Sequence, residues 1–465
     1  MHPEQNLIDR LNSLFHPESV AVVGVPRGMK SGKLFLMALQ DQGFPGRILP
    51  VHPEAGEIDG LTAYPSVSAI PGPVDLAIVL VSRDQTLPVV RECAAKGVKG
   101  VVLFTAGYRE TGAQGEALEQ ELLQVARSAG TRLIGPNCMG LYCPESGLSF
   151  FPELSRESGP VGLISHSGSL ANIICRMGSE KGLLFSKVAS LGNECDLTSR
   201  DFLLYLGNDP ATRVIGGYLE GIKNGRRFLE TLREVSLSKP VILWKVGLTP
   251  EGMRAASSHT GAMAGSRNVW LGVVRQGGAV PVAGFEAWVD ALMTFSMLPA
   301  DPGHRIAIVS GPGGLAVSAA EACGGEGLAL AELSPETRSH LSRFVPPTGT
   351  SLRNPVDVGL SASFEMDIYA EAVRTVAMDP GVDAVAVIGR GMSDDLNHRY
   401  LEALIRARRE AGKPILVVNI PGFDASMPKR FFEAGLPFYE SAERAMRNYA
   451  MALKYRQWQK KHAGR

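Results

Sequence analysis

At 465 residues the chain is too long for one ordinary hydrophobic core, and its length corresponds to about three domains of usual size. Its 47 Lys and Arg balance 47 Asp and Glu, so bulk charge gives no reason to expect nucleic acid or an acidic membrane surface as partner. No apolar run reaches the roughly eighteen residues a membrane span needs, and the opening Met-His-Pro-Glu-Gln-Asn-Leu has neither the basic start nor the apolar stretch of a secretory signal. The six cysteines form no C-x-x-C pair and no metal-ligand rhythm, which predicts a reduced, cytoplasmic setting and no metal site.

In chain order, Ser19 to Gly24 reads as a buried parallel strand ending in a glycine turn, with a helix following over Lys33 to Gln42. The turn, Gly24-Val-Pro-Arg-Gly28-Met-Lys-Ser-Gly32, is not G-x-G-x-x-G, and Pro26 stands where a dinucleotide fold wants close backbone approach. NAD, and with it a dehydrogenase, is disfavoured. Arg27, Lys30 and Lys33 around a helix N-terminus suit a multiply phosphorylated ligand instead. Strands at Arg47 to Val51, Leu76 to Val81, Gly100 to Phe104 and Arg132 to Ile134 complete a doubly wound sheet over residues 1–143. The segments after its strands should share one rim: Val51-His52-Pro53, Val81-Ser82-Arg83, Thr105-Ala106-Gly107 and Gly135-Pro136-Asn137-Cys138. Each alone reads equally well as an ordinary turn. Cys138 lacks a nearby base and reads as a polarisable rim residue, not a nucleophile.

A Pro/Ser/Gly stretch from Pro144 to Pro160 marks a boundary, and Pro299-Ala-Asp-Pro-Gly303 marks another, giving domains 144–300 and 301–465. Their openings match at a constant offset: Ser165 with Ser310, Gly168 with Gly313, Leu170 with Leu315. Asp209-Pro210 answers Asp379-Pro380, and Lys239-Pro240 answers Lys413-Pro414, so the two regions read as copies of one parallel α/β unit. The chemistry lies where they differ. Glu220 in the second domain faces Arg390 in the third, and a histidine-bearing stretch faces Asn419-Ile-Pro-Gly, which has no histidine.

That stretch, Arg254 to Gly265, sets His259 among very small residues and predicts either a plain surface turn or a loop able to travel with a reactive imidazole. Ser167, Gly168 and Ser169 open a helix off a strand end, where N–H groups and the helix dipole favour an anion. Glu220 ends a neighbouring strand on the same rim and would fix the tautomer of an imidazole. Together the three describe a phosphohistidine site, with His166 read as a turn residue that could compete as phosphoryl acceptor.

These motifs carry a resemblance over nearly the whole chain: Val22-Val-Gly24, Gly135-Pro-Asn-Cys-Met-Gly140, Ser165-His-Ser-Gly168, Tyr218-Leu-Glu-Gly221, Lys245-Val-Gly247 and Ser258-His-Thr-Gly-Ala262. The chain resembles the α subunits of nucleoside-diphosphate-forming acyl-CoA synthetases, the ADP-forming acetyl-CoA synthetase group, and its first two domains are similar to the succinyl-CoA synthetase α subunit. The resemblance implies an N-terminal Rossmann-like CoA-binding domain followed by two flavodoxin-like domains, the last without catalytic residues. It implies that acyl-CoA and phosphate exchange to give an acyl phosphate, whose phosphoryl group passes to His259, steadied by Glu220, and then to ADP. A separate ATP-grasp β subunit, in an α2β2 assembly, would hold ATP or ADP with Mg²⁺. CoA would lie against Gly24, Pro26, Arg27, Val51, His52, Pro53, Val81, Thr105, Ala106 and Asn137; phosphate near Ser167, Gly168, Ser169 and Cys138; the acyl group near Asn172 and His166. The family usually has Gln or Arg where this chain has His166. The alternative from another class is a CoA-binding regulatory or scaffolding protein without turnover.

Overall fold

The computed structural model describes residues 3–30, 32–54, 56–260, 265–298, 302–359, 365–389, 393–420 and 423–463. Residues 299–301 of the predicted boundary Pro299–Gly303 lie outside them, as does Arg390. The described chain forms two compact units, Met1–Ser179 with Leu184–Gly284, and Glu180–Leu183 with Phe285–Arg465.

In the first unit, strands Ser19–Val23, Arg47–Val51, Leu76–Val79, Gly100–Leu103 and Arg132–Ile134 pair in parallel in the order second, first, third, fourth, fifth. Every residue of Ser19–Val23, Leu76–Val79 and Gly100–Leu103 is buried. Sheets made by right-handed crossovers carry helices on both faces, which is why these strands read as unbroken apolar runs. The order reverses direction between the first and third strands, and a crevice opens at their carboxyl ends. The N-terminal helix, Pro3–Phe15, packs on the helix Ser199–Asn208: Phe15 stacks on Tyr205 at 5.2 Å, and the Tyr205 hydroxyl donates to Asn12 Oδ1 at 3.0 Å.

The second sheet runs Val280–Val282, Val241–Lys245, Val214–Leu219, Val161–Ser165, Phe185–Ser190 in parallel, with Gly140–Tyr142 antiparallel at the edge. In the second unit, Arg305–Ser310 lies between Ala329–Leu330 and Ala384–Ile388, followed by Ile415–Val418 and Phe438–Tyr439, which is the same order; Val356–Asp357 also pairs with the end of Arg305–Ser310. The sequence marks of the repeat are bonded to each other in each copy. Lys239 Nζ donates to the Asp209 carbonyl and Lys413 Nζ to the Asp379 carbonyl, both at 2.6 Å. Ser165 Oγ donates to the Ser167 carbonyl as Ser310 Oγ does to that of Pro312. Among the described residues no helix is long and apolar enough to cross a membrane.

Candidate active site

The rim segments of the first sheet are tied into one ladder. Gly24 N–H donates to the Val51 carbonyl at 3.0 Å, Leu80 N–H to Val23 at 2.9 Å, Thr105 Oγ1 to Val81, and Asn137 N–H to Thr105 at 3.2 Å. Gly24 sits at φ +87°, and a Cβ there would lie 2.8 Å from Val81 Cγ1, so the close approach of the two strand ends requires glycine. Arg27 is exposed beside it and donates to the Glu54 carbonyl. His52 Nδ1 accepts the Glu54 N–H at 3.1 Å, which curls the turn around the exposed Pro53.

Opposite this ladder stands the helix Gly168–Glu180. Its first turn leaves N–H groups that no earlier carbonyl can accept. Ser167 Oγ takes one of them, from Leu170, at 3.3 Å. A Cβ on Gly168 would come 2.5 Å from Met139 Cγ, so glycine lets the helix start against the Gly-Pro-Asn-Cys-Met turn. Between the two elements lies a cavity of ≈ 450 Å³. Val81, Thr105, Ala106, Asn137 and Cys138 line it on the first-domain side, and His166, Ser167, Gly168 and Ser169 on the other. A second cavity, ≈ 470 Å³, lies against Asn6, Arg10, Lys99 and Arg132, at the amino ends of the strands, where doubly wound sheets do not carry their ligands.

Cys138 is buried, with Sγ 3.5 Å from the Leu103 and Ile134 carbonyls, and burial pushes its thiol up to about 12. It therefore stays a thiol. His166 is buried and held at both ring nitrogens. Nδ1 accepts the Glu220 backbone N–H at 3.1 Å, which leaves the proton on Nε2, and Nε2 faces Glu194 Oε1 at 3.0 Å. Burial opposes ionisation of Glu194 most strongly. His166, Lys223 and the Ser199 amide together outweigh it and hold the carboxyl below the ordinary glutamate range. Glu194 had no signal as a site residue in the sequence. It lies 28 positions from His166, in a Leu-Gly-Asn-Glu-Cys run, and only the fold brings the two together.

The same run anchors the Gly-Pro-Asn-Cys turn: Asn193 N–H donates to the Pro136 carbonyl at 2.9 Å and Cys195 N–H to Gly135 at 2.8 Å. Next to it, Asp196 accepts from Arg132 Nε at 2.7 Å, Arg127 Nε at 3.0 Å and the Leu133 N–H at 3.0 Å.

Glu220 directly follows strand Val214–Leu219, as the sequence predicts, and it is buried; its carbonyl accepts from Lys245 Nζ at 2.9 Å. Burial, with the Glu220 carboxylate alongside, pushes the Tyr218 phenol up to about 12. Asn172 lies in the second turn of the Gly168–Glu180 helix, with Oδ1 buried and without a hydrogen-bond partner among the described residues. Neither Glu220 nor Asn172 is among the residues lining the cavity.

The expectation of a loop at Arg254 is corrected. Pro250–Thr260 is a helix that carries His259 in its last turn. Pro250 at its start and the Ala255-Ala256 pair are helix-favouring signals that the run of small residues obscured. Positions 261–264 and the His259 side chain lie outside the described residues. Ala256 is buried 3.5 Å from the Cβ position of Gly247, which is 3.7 Å from the Glu220 carbonyl oxygen. The helix also packs against the turn Arg109–Thr111 of the first domain. It thus runs beside the strand end that carries Glu220, and His259 follows Ala256 by three residues, one helical turn.

Comparison with known proteins gives three family matches in chain order: a CoA binding domain over residues 18–144, a succinyl-CoA ligase like flavodoxin domain over 158–295, and a ligase-CoA domain over 306–392. The chain is 37% identical to the ADP-forming acetate–CoA ligase II subunit alpha of Pyrococcus furiosus, covering 93% of this chain and 95% of that one. It is 35% identical to the ligase I subunit alpha of the same organism, covering 97% and 99%. Its fold matches the dinucleotide forming acetyl-coenzyme A synthetase 1 of Ca. Korarchaeum cryptofilum, solved with phosphate and ADP, with a TM-score of 0.87 at 33% identity over 97% of each chain. The order of the three domains and identity maintained from end to end lead to one conclusion: the chain belongs to the family of ADP-forming acetate–CoA ligase α subunits, which are acid–thiol ligases.

Proposed function

We propose that this chain is the α subunit of an ADP-forming acyl-CoA ligase that interconverts acyl-CoA, ADP and phosphate with carboxylate, CoA and ATP. The observation that carries the reading is the ≈ 450 Å³ cavity in which the first-domain rim meets the helix N-terminus at Ser167. A thiol ester arriving along the rim and a phosphate on the helix N–H groups would meet in it. Gly24 and the exposed Arg27 fit the phosphate-rich end of CoA, with Pro26, Val51, His52 and Pro53 along its path.

In the forward direction phosphate bound at Ser167, Gly168 and Ser169 attacks the acyl carbon, the C–S bond breaks, and CoA leaves. His259 then takes the phosphoryl group, releasing the carboxylate, and passes it to ADP on a separate ATP-grasp subunit that also supplies Mg²⁺. Glu220 orients His259, and Asn172 and His166 bound the acyl end, where Asn172 Oδ1, without a partner among the described residues, offers a hydrogen-bond acceptor. The domain limits 1–143, 144–300 and 301–465, a cytoplasmic location and an α2β2 assembly belong to the same reading.

Incubating the chain with a co-expressed ATP-grasp partner, Mg²⁺ and γ-labelled ATP tests it. Acid-labile, base-stable label should appear on the chain and vanish in His259→Ala. Equal labelling of that variant would sink the reading, and CoA binding with no label under any condition would identify a regulatory protein.

A further inference from the structure

Away from the cavity, three side chains of different chemistry converge where the N-terminal helix ends. His16 follows that helix, Cys143 follows the edge strand Gly140–Tyr142, and Glu145 sits in the short turn Pro144–Ser146. A ring nitrogen of His16, Cys143 Sγ and a Glu145 carboxylate oxygen lie within 4.8 Å of one another. His16 Nδ1 donates to the Asn12 carbonyl at 3.0 Å, which leaves Nε2, 3.7 Å from Glu145 Oε2, as the nitrogen a cation would take in exchange for a proton. A backbone carbonyl fixing one imidazole nitrogen while the other points at a thiol and a carboxylate is the arrangement outer-shell partners give to metal-binding histidines. We infer that His16, Cys143 and Glu145 form a binding site for a borderline-soft divalent cation of the Zn²⁺ type, with a fourth position open to water.

The donor set selects among cations. One nitrogen, one thiolate and one carboxylate suit Zn²⁺ and disfavour Mg²⁺ and Ca²⁺, which want oxygen alone. A tetrahedral ion with bonds of about 2.0 to 2.3 Å holds its ligand atoms roughly 3.4 to 3.8 Å apart, so only a small inward movement is needed. Glu145 is exposed, which gives an entry path, and Cys143 is buried, which shields the sulfur. Lys187 is a competing charge, with Nζ 3.8 Å from Glu145 Oε2. Asp209 already engages it with both oxygens, at 3.1 and 3.2 Å. Binding would join the end of the N-terminal helix to the 143–146 turn, where Ser146 Oγ already donates to the Phe15 carbonyl at 2.6 Å.

The test uses the reduced full-length chain and Co²⁺ as probe. A thiolate-to-cobalt charge-transfer band should saturate at one equivalent, be displaced by Zn²⁺ and not by Mg²⁺, and disappear in Cys143→Ser. Glu145→Gln, at an exposed position, keeps the fold and should weaken Co²⁺ binding at least about tenfold, since a lost ligand costs no less than a lost outer-shell partner. Absence of the band in the wild-type chain, its survival in Cys143→Ser, or unchanged affinity in Glu145→Gln would each overturn the site.

Discussion

Glu194 Oε1 lies 3.0 Å from His166 Nε2, while the opposite ring nitrogen receives the Glu220 amide at 3.1 Å. An imidazole engaged on both sides is a fixed wall, not a carrier. His166→Asn should therefore leave phosphoryl labelling at His259 intact, as read by acid-labile counts on the purified variant. Glu194→Ala strips a partner from the His166 ring and the Ser199 amide at once, and should cost about 3 kcal/mol in urea unfolding.

Gly192 is the tightest point behind the site. At φ +52°, a Cβ there would lie 2.2 Å from the carbonyl oxygens of both Pro136 and Asn137. Gly192→Ala must push the Gly-Pro-Asn-Cys turn into the cavity, with a cost of about 1 to 3 kcal/mol and a loss of CoA binding by calorimetry. Gly43→Ala is the control: φ is +68° but the space is open, so it pays the backbone strain of about 1 kcal/mol and should leave CoA binding unchanged.

In the proposed reading Arg27 meets the ligand's phosphates. Removing a charged donor from a phosphate contact forfeits about 1.5 to 3 kcal/mol, so Arg27→Ala should weaken CoA at least about tenfold. A titration at two salt concentrations should also show a shallower salt dependence than the wild type.

Asp196 supplies an acid-sensitive tie. Burial pushes its carboxyl up, but Arg132, the Leu133 amide and Arg127 outweigh this and hold it below the ordinary aspartate range. A depressed folded value means the stabilisation is complete above the unfolded value near pH 4 and drains away as pH falls through the folded value. Wild-type stability should therefore drop in that window. Asp196→Asn should already be weaker by about 3 kcal/mol at neutral pH and vary less across the same range, as followed by pH-dependent denaturation.

Much of this was legible in the sequence because it is local or periodic. The Ser19–Gly24 opening, the rim segments and the matched Ser165/Ser310 copies each sit on a strand-turn-helix pattern whose spacing the chain itself sets. Glu194 was invisible because its role depends on an imidazole that a different strand delivers. The His259 stretch was misread for a different reason: small residues serve loops and helices alike, and Pro250 and two alanines decided for the helix. His16 and Cys143 lie 127 positions apart on elements that meet only when the N-terminal helix docks on Ser199–Asn208.

Between Ile134, in the last strand of the first sheet, and Gly140, in the edge strand of the second, only residues 135–139 intervene. That segment is at once covalent corner and cavity wall, and the Asn193 and Cys195 amides tie it down from outside. The two sheets are thus a single cooperative block: neither can be excised intact, CoA bound to one must raise the denaturation temperature of both, and calorimetry should record them as one transition.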